Sequence, residues 1–396
     1  MLGVVVRLAL LLEFTRRLST GQGSSLYLAG GFTAGLRDTP YEMRDKKLKT
    51  AVLGLDERGL LLLEAASQTG HFHIEAVADK DTKLAERIAA EYKCTPYDDY
   101  RQLITTMDSR LRGNDIGCLL VAAGMYSCDE YIRAAMKKKF NVLKLTPTAR
   151  NFEEAAAFVQ LAEDENIKFA VANPLRFARS FLALRKFLEE GRIEQIFLIT
   201  AVCAVGNQQC PSWQSDPKLA GGGVLLHNCY EIIDQMVWNF AVPQQVYSLN
   251  ANTIGNKGQR PYLTEDTAVV MMKFADAFFG NLTAGKAIGP RQKFLKVHGK
   301  DKILTVSDTQ FVVSNEAGQI SEQLEYDDND LGRIRELLEN FALSILSPDE
   351  NKLCCGGKEN LKTMAVVESA YLSARTSVPE EPGRILQMVS RQVGVL

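Results

Sequence analysis

The sequence predicts an α/β protein in two parts: an N-terminal parallel sheet clothed in helices, then an α+β half built on a large mixed or antiparallel sheet. Three observations predict it. Short buried strands alternate with helices from about residue 49 to 172, the pattern of linked βαβ units. After about residue 173 strands follow one another in series, with few helices between them. Finally, Lys49 to Asp81 runs in the order strand, glycine turn, helix, strand, acid.

That stretch reads KTAVLGLDERGLLLLEAASQTGHFHIEAVADKD. Ala51, Val52 and Leu53 form a short buried strand. Gly54 opens a turn, and Gly59 through Gln68 has helical apolar spacing. Ile74, Ala76, Val77 and Ala78 form a second strand that ends in Asp79. This is a Rossmann-type, dinucleotide-binding arrangement. The glycine turn lays backbone N–H groups and a helix N-terminus against pyrophosphate, and the acid takes the ribose hydroxyls. The pattern G-x-G-x-x-G stands here as Gly54-Leu55-Asp56-Glu57-Arg58-Gly59. Asp56 replaces the glycine that lets the backbone approach the phosphates. Two like charges ~4 Å apart repel by about 1 kcal/mol in water and about 4 kcal/mol at an effective dielectric of 20. Arg58 offsets part of that. Asp79 favours NAD over NADP, because a carboxylate repels a 2′-phosphate, and Lys80 beside it acts the other way.

Further along, Leu84 to Tyr92 and Asp98 to Thr105 are helical, and Gly117 to Ala122 is a buried strand. Glu130 to Lys138 is a helix and Asn141 to Leu145 a strand. Asn151, with Glu154 three residues on, caps the next helix. Ile167 to Ala172 closes the parallel sheet. The second half offers strands at Gln195–Val202, Gln245–Leu249, Ala268–Phe274, Phe279–Ala284, Phe294–His298, Ile303–Val306 and Phe311–Val313. Helices are expected at Ala178–Glu190, Glu231–Phe240, Leu331–Ile345 and Asn360–Ala374. We place a leader at 1–42, a dinucleotide domain at 43–172 and a substrate and oligomerisation domain at 173–396. The leader has one short apolar run followed by a Gly/Ser-rich stretch, and is expected to be poorly ordered. The loop 107–115 reads as an insertion.

Composition narrows the function. The chain has 396 residues, 46% hydrophobic and 24% charged, with a net charge of −2. Nothing there selects nucleic acid or an anionic membrane. No run reaches the roughly 18 apolar residues that span a bilayer. The eight cysteines are scattered without metal-ligand spacing, so they read as reduced thiols of a cytoplasmic protein with no metal site.

Several side chains stand out. Gly221-Gly222-Gly223 precedes the helical segment VLLHNCYEIIDQMVW. His227 and Glu231 are four apart and so share one helix face. They read either as an acid–base pair or as a polar face lining a crevice. Arg176 follows Asn173-Pro174 and suits an anionic or polyhydroxy ligand, or is a surface charge at a helix start. Trp213 stacks on a sugar ring or pins a loop. His71, His73 and His298 read as structural.

Taken together and in order, these parts resemble one family. The matching stretches are AVLGLDERG, HIEAVADKD, CTPYDDYRQLI, NVLKLTPTARNFEEA, LRFARSFLALRKFLEEGRIEQI, LAGGGVLLHNCYEIID and VVESAYLSARTSVP. Residues 48 to about 378 thus resemble the glucose–fructose oxidoreductase/inositol dehydrogenase (Gfo/Idh/MocA) family. The resemblance implies a Rossmann domain and NAD(P)-linked oxidation of a sugar or polyol. It also implies a homodimer or homotetramer joined through the C-terminal sheet. The family's Glu-Lys-Pro falls on Leu145-Thr146-Pro147, so only the proline is kept and the catalytic lysine is lost. Its Asp and His after the triple glycine fall on His227 and Glu231, while Asp234 is kept. Its Thr-Pro-Asn falls on Ala123-Gly124-Met125, which puts Ala123 and Pro147 beside the cofactor.

Three readings follow. The first is a protein that binds NAD(P) and a sugar-like or polyol ligand, with little or no hydride transfer. The second is an active dehydrogenase that uses His227, Glu231 and Lys144, the last lying on the same strand face as Thr146. The third is a non-catalytic structural or regulatory oligomer subunit.

Overall fold

A computed structural model describes residues 46–110, 115–206, 211–253 and 264–392. The leader, Cys210 and the centre of the 107–115 loop lie outside the described residues. Six strands form the first sheet: β1 Leu48–Leu53, β2 Phe72–Ala78, β3 Thr95–Tyr97, β4 Gly117–Val121, β5 Asn141–Leu145 and β6 Phe169–Ala172. Their order is β3-β2-β1-β4-β5-β6, and every pairing is parallel. The order reverses between β1 and β4, the place where an open α/β sheet leaves a crevice at its carboxyl edge. The strands β1, β4, β5 and β6 are buried on both faces because helices cover both sides.

The helices of this half are α1 Glu57–Thr69, α2 Thr82–Tyr92, α3 Tyr100–Arg110, α4 Asp129–Lys137 and α5 Phe152–Asp164. Side-chain caps start three of them. Asp56 caps α1, Asp81 caps α2, and Asn151 caps α5 by accepting from the Glu154 N–H at 2.9 Å.

The second sheet has eight strands: β7 Leu198–Ala204, β8 Gln245–Ala251, β9 Thr267–Ala275, β10 Phe278–Gly285, β11 Gln292–His298, β12 Ile303–Ser307, β13 Gln310–Ser314 and β14 Ile320–Glu325. The order is β14-β13-β12-β11-β7-β10-β9-β8. It is mixed, because β7 runs parallel to β10 and antiparallel to β11. The sequence does not announce β3 or β14. The first is three residues long, and the second is exposed along most of its length.

Helices α6 Arg179–Glu189, α7 Tyr230–Phe240, α8 Asp330–Leu346, α9 Gly357–Thr376 and α10 Pro382–Gln392 complete the chain. The expected boundary at residue 173 does not divide the packing. Ile334, Leu337, Leu338, Phe341 and Ala342 of α8 share a core with Leu62, Leu63 and Ala66 of α1. The C-terminal half therefore returns to cover one face of the first sheet. No described helix is long and apolar enough to cross a membrane.

Candidate active site

The glycine turn is fixed by close backbone packing. Gly54 has φ +93°, and a Cβ there would lie 2.4 Å from the Ala123 nitrogen. A Cβ on Gly59 would lie 2.2 Å from the Gly54 oxygen. Only glycine fits either position. Ala122 and Ala123 both donate to the Leu53 carbonyl, at 2.8 and 2.9 Å, which seats the end of β4 against the turn.

Asp56 does more than repel phosphate. Its Oδ1 accepts the Gly59 N–H at 2.9 Å and so caps α1. A carboxylate therefore already takes one of the free N–H groups that an anion would use. Asp79 is also held. Its Oδ2 accepts from Leu55 N–H at 2.7 Å and its Oδ1 from Asp81 N–H at 2.9 Å, which ties the end of β2 to the turn. The Lys80 ammonium sits 5.4 Å from the Tyr126 ring centre.

At the end of β5 the structure corrects the expectation for Lys144. The side chain is buried, and Nζ donates to the Leu145 carbonyl at 3.1 Å and to the Pro147 carbonyl at 2.6 Å. Burial pushes its pKa down to about 8. The ammonium braces the turn around the cis Thr146–Pro147 bond instead of facing the crevice.

Thr146 begins a polar chain that crosses the crevice. Arg58 of α1 reaches its carbonyl and its Oγ1, both at 3.4 Å. Thr146 Oγ1 donates to Glu231 Oε1 at 3.5 Å, a long contact. Glu231 Oε2 pairs with Lys293 Nζ of β11 at 3.2 Å. Both members of that pair keep partial exposure, 22% and 23%. Burial raises the Glu231 carboxyl, but Lys293 and then Arg58 lower it further, so it lies below its ordinary value.

His227 and Glu231 do not share a helix face. The segment breaks at Asn228–Cys229 into a helical turn, Val224–His227, and then α7. His227 Nε2 lies 3.0 Å from the Ala220 carbonyl, which accepts. Nε2 therefore carries the hydrogen, and Nδ1 is left as acceptor. Burial, reinforced by Lys286, Lys144 and Arg58, pushes its pKa down to about 4. Trp213 meets His227 edge-on at 5.5 Å and Tyr126 at 5.4 Å between ring centres. The two aromatics join the loop after β4 to the loop before the triple glycine.

Residues 48–173 match the model of the oxidoreductase family with an NAD-binding Rossmann fold, and residues 181–305 match the GFO/IDH/MocA C-terminal domain. The chain belongs to the Gfo/Idh/MocA family. An uncharacterized oxidoreductase of Schizosaccharomyces pombe is 25% identical over 235 residues, 57% of this chain and 60% of that protein. Levoglucosan dehydrogenase of Pseudarthrobacter phenanthrenivorans is 23% identical over 252 residues, 57% of this chain and 63% of the enzyme. The chain thus spans about three fifths of the length of these two curated relatives. The solved structure of a levoglucosan dehydrogenase with NADH and levoglucosan has a TM-score of 0.76 to this chain. It covers 85% of this chain and 99% of that one at 16% identity, a likeness of fold.

Within this Gfo/Idh/MocA framework, two residues expected to meet substrate have another task. Arg176 Nε and Nη2 pair with Asp234 at 2.7 and 2.8 Å, and the two residues are 3% and 0% exposed. Arg176 Nη1 donates to the Cys354 carbonyl and to Glu359. Asn173 and Thr363 donate to the remaining Asp234 acceptor sites, at 2.6 and 2.9 Å. The buried pair with its four protein partners braces the segment after β6 to α7, α9 and the loop before α9.

Three participants escape the sequence reading. Lys293 lies on the core-facing phase of β11, in step with buried Leu295 and Val297. A lysine in that phase was the available signal. Glu265 accepts Gly223 N–H at 2.7 Å, Leu225 N–H at 3.0 Å and the Tyr371 hydroxyl at 2.8 Å, and so holds the turn that carries His227. Tyr126 gave no signal of its own. Among the described residues no His/Cys/Asp/Glu group has the makings of a metal site.

Proposed function

We propose that this protein binds a nicotinamide dinucleotide, NAD in preference to NADP, over the Gly54–Gly59 turn, with a sugar or polyol in the adjoining crevice. We further propose that hydride transfer from common sugars and polyols is absent or very slow. The observation that carries this reading is the Thr146–Glu231–Lys293 chain. Oxidising a carbinol needs a group that takes the hydroxyl proton as the hydride leaves, with a pKa near the working pH. Thr146 offers a hydroxyl, which is no base near neutrality. Glu231 is drawn below its ordinary range and held by Lys293. His227 has its value near 4, and Lys144 is spent on carbonyls. A site that binds without turning over suits sensing or regulation.

A second reading is an active dehydrogenase, and the Lys293–Glu231 contact favours it, because a lysine arrives at the crevice from a different strand. Self-association belongs to the first reading as well. Leu249, Val269, Met271 and Phe279 are 60%, 42%, 53% and 47% exposed on one face of β8–β10, and strand register places them side by side. Such a patch suits a homodimer or homotetramer. We place the protein in the cytoplasm, where its seven described free cysteines stay reduced.

Calorimetry of NADH and NADPH, followed by a reduced-nicotinamide absorbance assay over a panel of sugars and polyols, tests the proposal. Failure to bind either nucleotide ends it. Turnover above about 1 per second, an ordinary enzymatic rate, moves the choice to the second reading. In that case Lys293→Met must abolish the turnover.

A further inference from the structure

Two thiols meet beside the Glu231–Lys293 pair. Cys203 lies on β7 in the core-facing phase, in step with Ile199 and Ala201. Lys293 of β11 stands directly opposite it in antiparallel register. The two side chains therefore leave the same face, about 5 Å apart at Cβ. Cys229 immediately precedes α7, and Glu231 lies in the first turn of that helix. Cys203 Sγ donates to the Asn228 carbonyl at 3.4 Å, the carbonyl of the peptide that joins Asn228 to Cys229. The Cys229 thiol in turn donates to Cys203 Sγ. Both are free thiols, with Cys203 3% exposed and Cys229 fully buried. The hydrogen bond from Cys229, and then Lys293, draw the Cys203 thiol below its ordinary value against the effect of burial. Burial, and then the same hydrogen bond, push Cys229 well above its own. One sulfur is thus the better thiolate, and its neighbour holds its proton.

We propose that Cys203 and Cys229 form a peroxide-reactive dithiol, with Cys203 the attacking sulfur and Cys229 the resolving one. The Cys203 thiolate attacks one oxygen of hydrogen peroxide. An S–O bond forms, the O–O bond breaks, and hydroxide leaves. The proton given up by the Cys203 thiol turns that hydroxide into water. Cys229 then loses its proton and attacks the Cys203 sulfur. An S–S bond forms, the S–O bond breaks, and a second water departs with the Cys229 proton. The two thiols give up two electrons in all, and one peroxide takes them. Peroxide is small enough to follow the Lys293 side chain, which is 23% exposed. The bridge ties β7 to the start of α7, between Lys293 on one side and Glu231 on the other. The oxidation state of the pair is therefore felt at the crevice, whatever ligand fills it. Disulfides of cytosolic proteins are of this transient, sensing kind.

Peptide mapping of the full chain after graded hydrogen peroxide tests the proposal. The expected product is a Cys203–Cys229 link that dithiothreitol cleaves, with both thiols lost to alkylation together. Cys203 should be consumed at least about tenfold faster than Cys118, because the thiolate is the attacking species and burial pushes the Cys118 thiol up. Cys354 is exposed, and mapping reads its oxidation separately. Cys229→Ser should leave Cys203 as a sulfenic acid that dimedone captures. Cys203→Ser should leave Cys229 reduced at the same peroxide dose. Melting curves check both variants. Should either fail to fold, the unmodified chain decides, since its link is mapped without any substitution. Absence of the link, a link between other cysteines in its place, Cys203 consumed no faster than Cys118, or a Cys229 that oxidises as readily in Cys203→Ser overturns the inference.

Discussion

The guanidinium of Arg176 and the carboxylate of Asp234 form a two-point ion pair at 2.7 and 2.8 Å with almost no exposure of either. Removing one member strands the other charge. Arg176→Met or Asp234→Asn should therefore cost about 3–5 kcal/mol. The double variant Arg176→Met/Asp234→Leu should recover much of that loss. Urea denaturation of the three variants checks it, and single variants as stable as the parent refute it.

Asp56 both caps α1 and places a negative charge at the phosphate position. Asp56→Gly should tighten NADH by about tenfold, the effect of removing roughly 1 kcal/mol of repulsion or a little more. Glycine is itself a tolerable cap, so stability should fall by only a few tenths of a kcal/mol. Asp56→Ala should lose about 1 kcal/mol of stability, because alanine cannot cap. Calorimetry and thermal melting separate the two effects. Unchanged or weaker NADH binding by the glycine variant means that the carboxylate does not face the pyrophosphate.

Burial lowers the His227 pKa from 6.5 to about 4. Between those values the unfolded chain binds a proton that the folded chain refuses. His227 therefore weakens the fold as pH falls through that window, and its effect vanishes above 6.5. His227→Gln should flatten the fall in denaturation midpoint between about pH 6.5 and 4 relative to the parent. Parallel profiles would place the imidazole in solvent.

The apolar stripe on β8–β10 predicts self-association. Met271→Asp should shift sedimentation toward monomer without a large change in melting of the monomer, because Met271 is 53% exposed and packs in no core. An unaltered oligomer distribution rules that face out.

Much of the architecture was legible because period and order are local. The alternation of strand and helix to residue 172 gives five of the six strands of the parallel sheet, and Asn151 with Glu154 reads as the cap it is. The site was less legible for two physical reasons. One is that partners lie far apart in sequence. Arg176 meets Asp234, and Glu231 meets Lys293, across 58 and 62 positions. The other is that spacing assumes continuity. His227 and Glu231 at i and i+4 promised one face, and the break at Asn228–Cys229 puts them on separate helical segments. Lys144 shows the same limit, since strand phase says which side a lysine leaves from and not which carbonyls capture it.

The return of α8 onto α1 has a consequence for modular exchange. The helix that the glycine turn launches keeps its outer surface dry only while residues 330–346 lie on it. A graft that lifts out the first 172 residues as a portable nucleotide cassette would carry a bare apolar flank and aggregate. The nucleotide half and the sheet half must be inherited, swapped or split as one piece, with any viable cut placed so that α8 travels with α1.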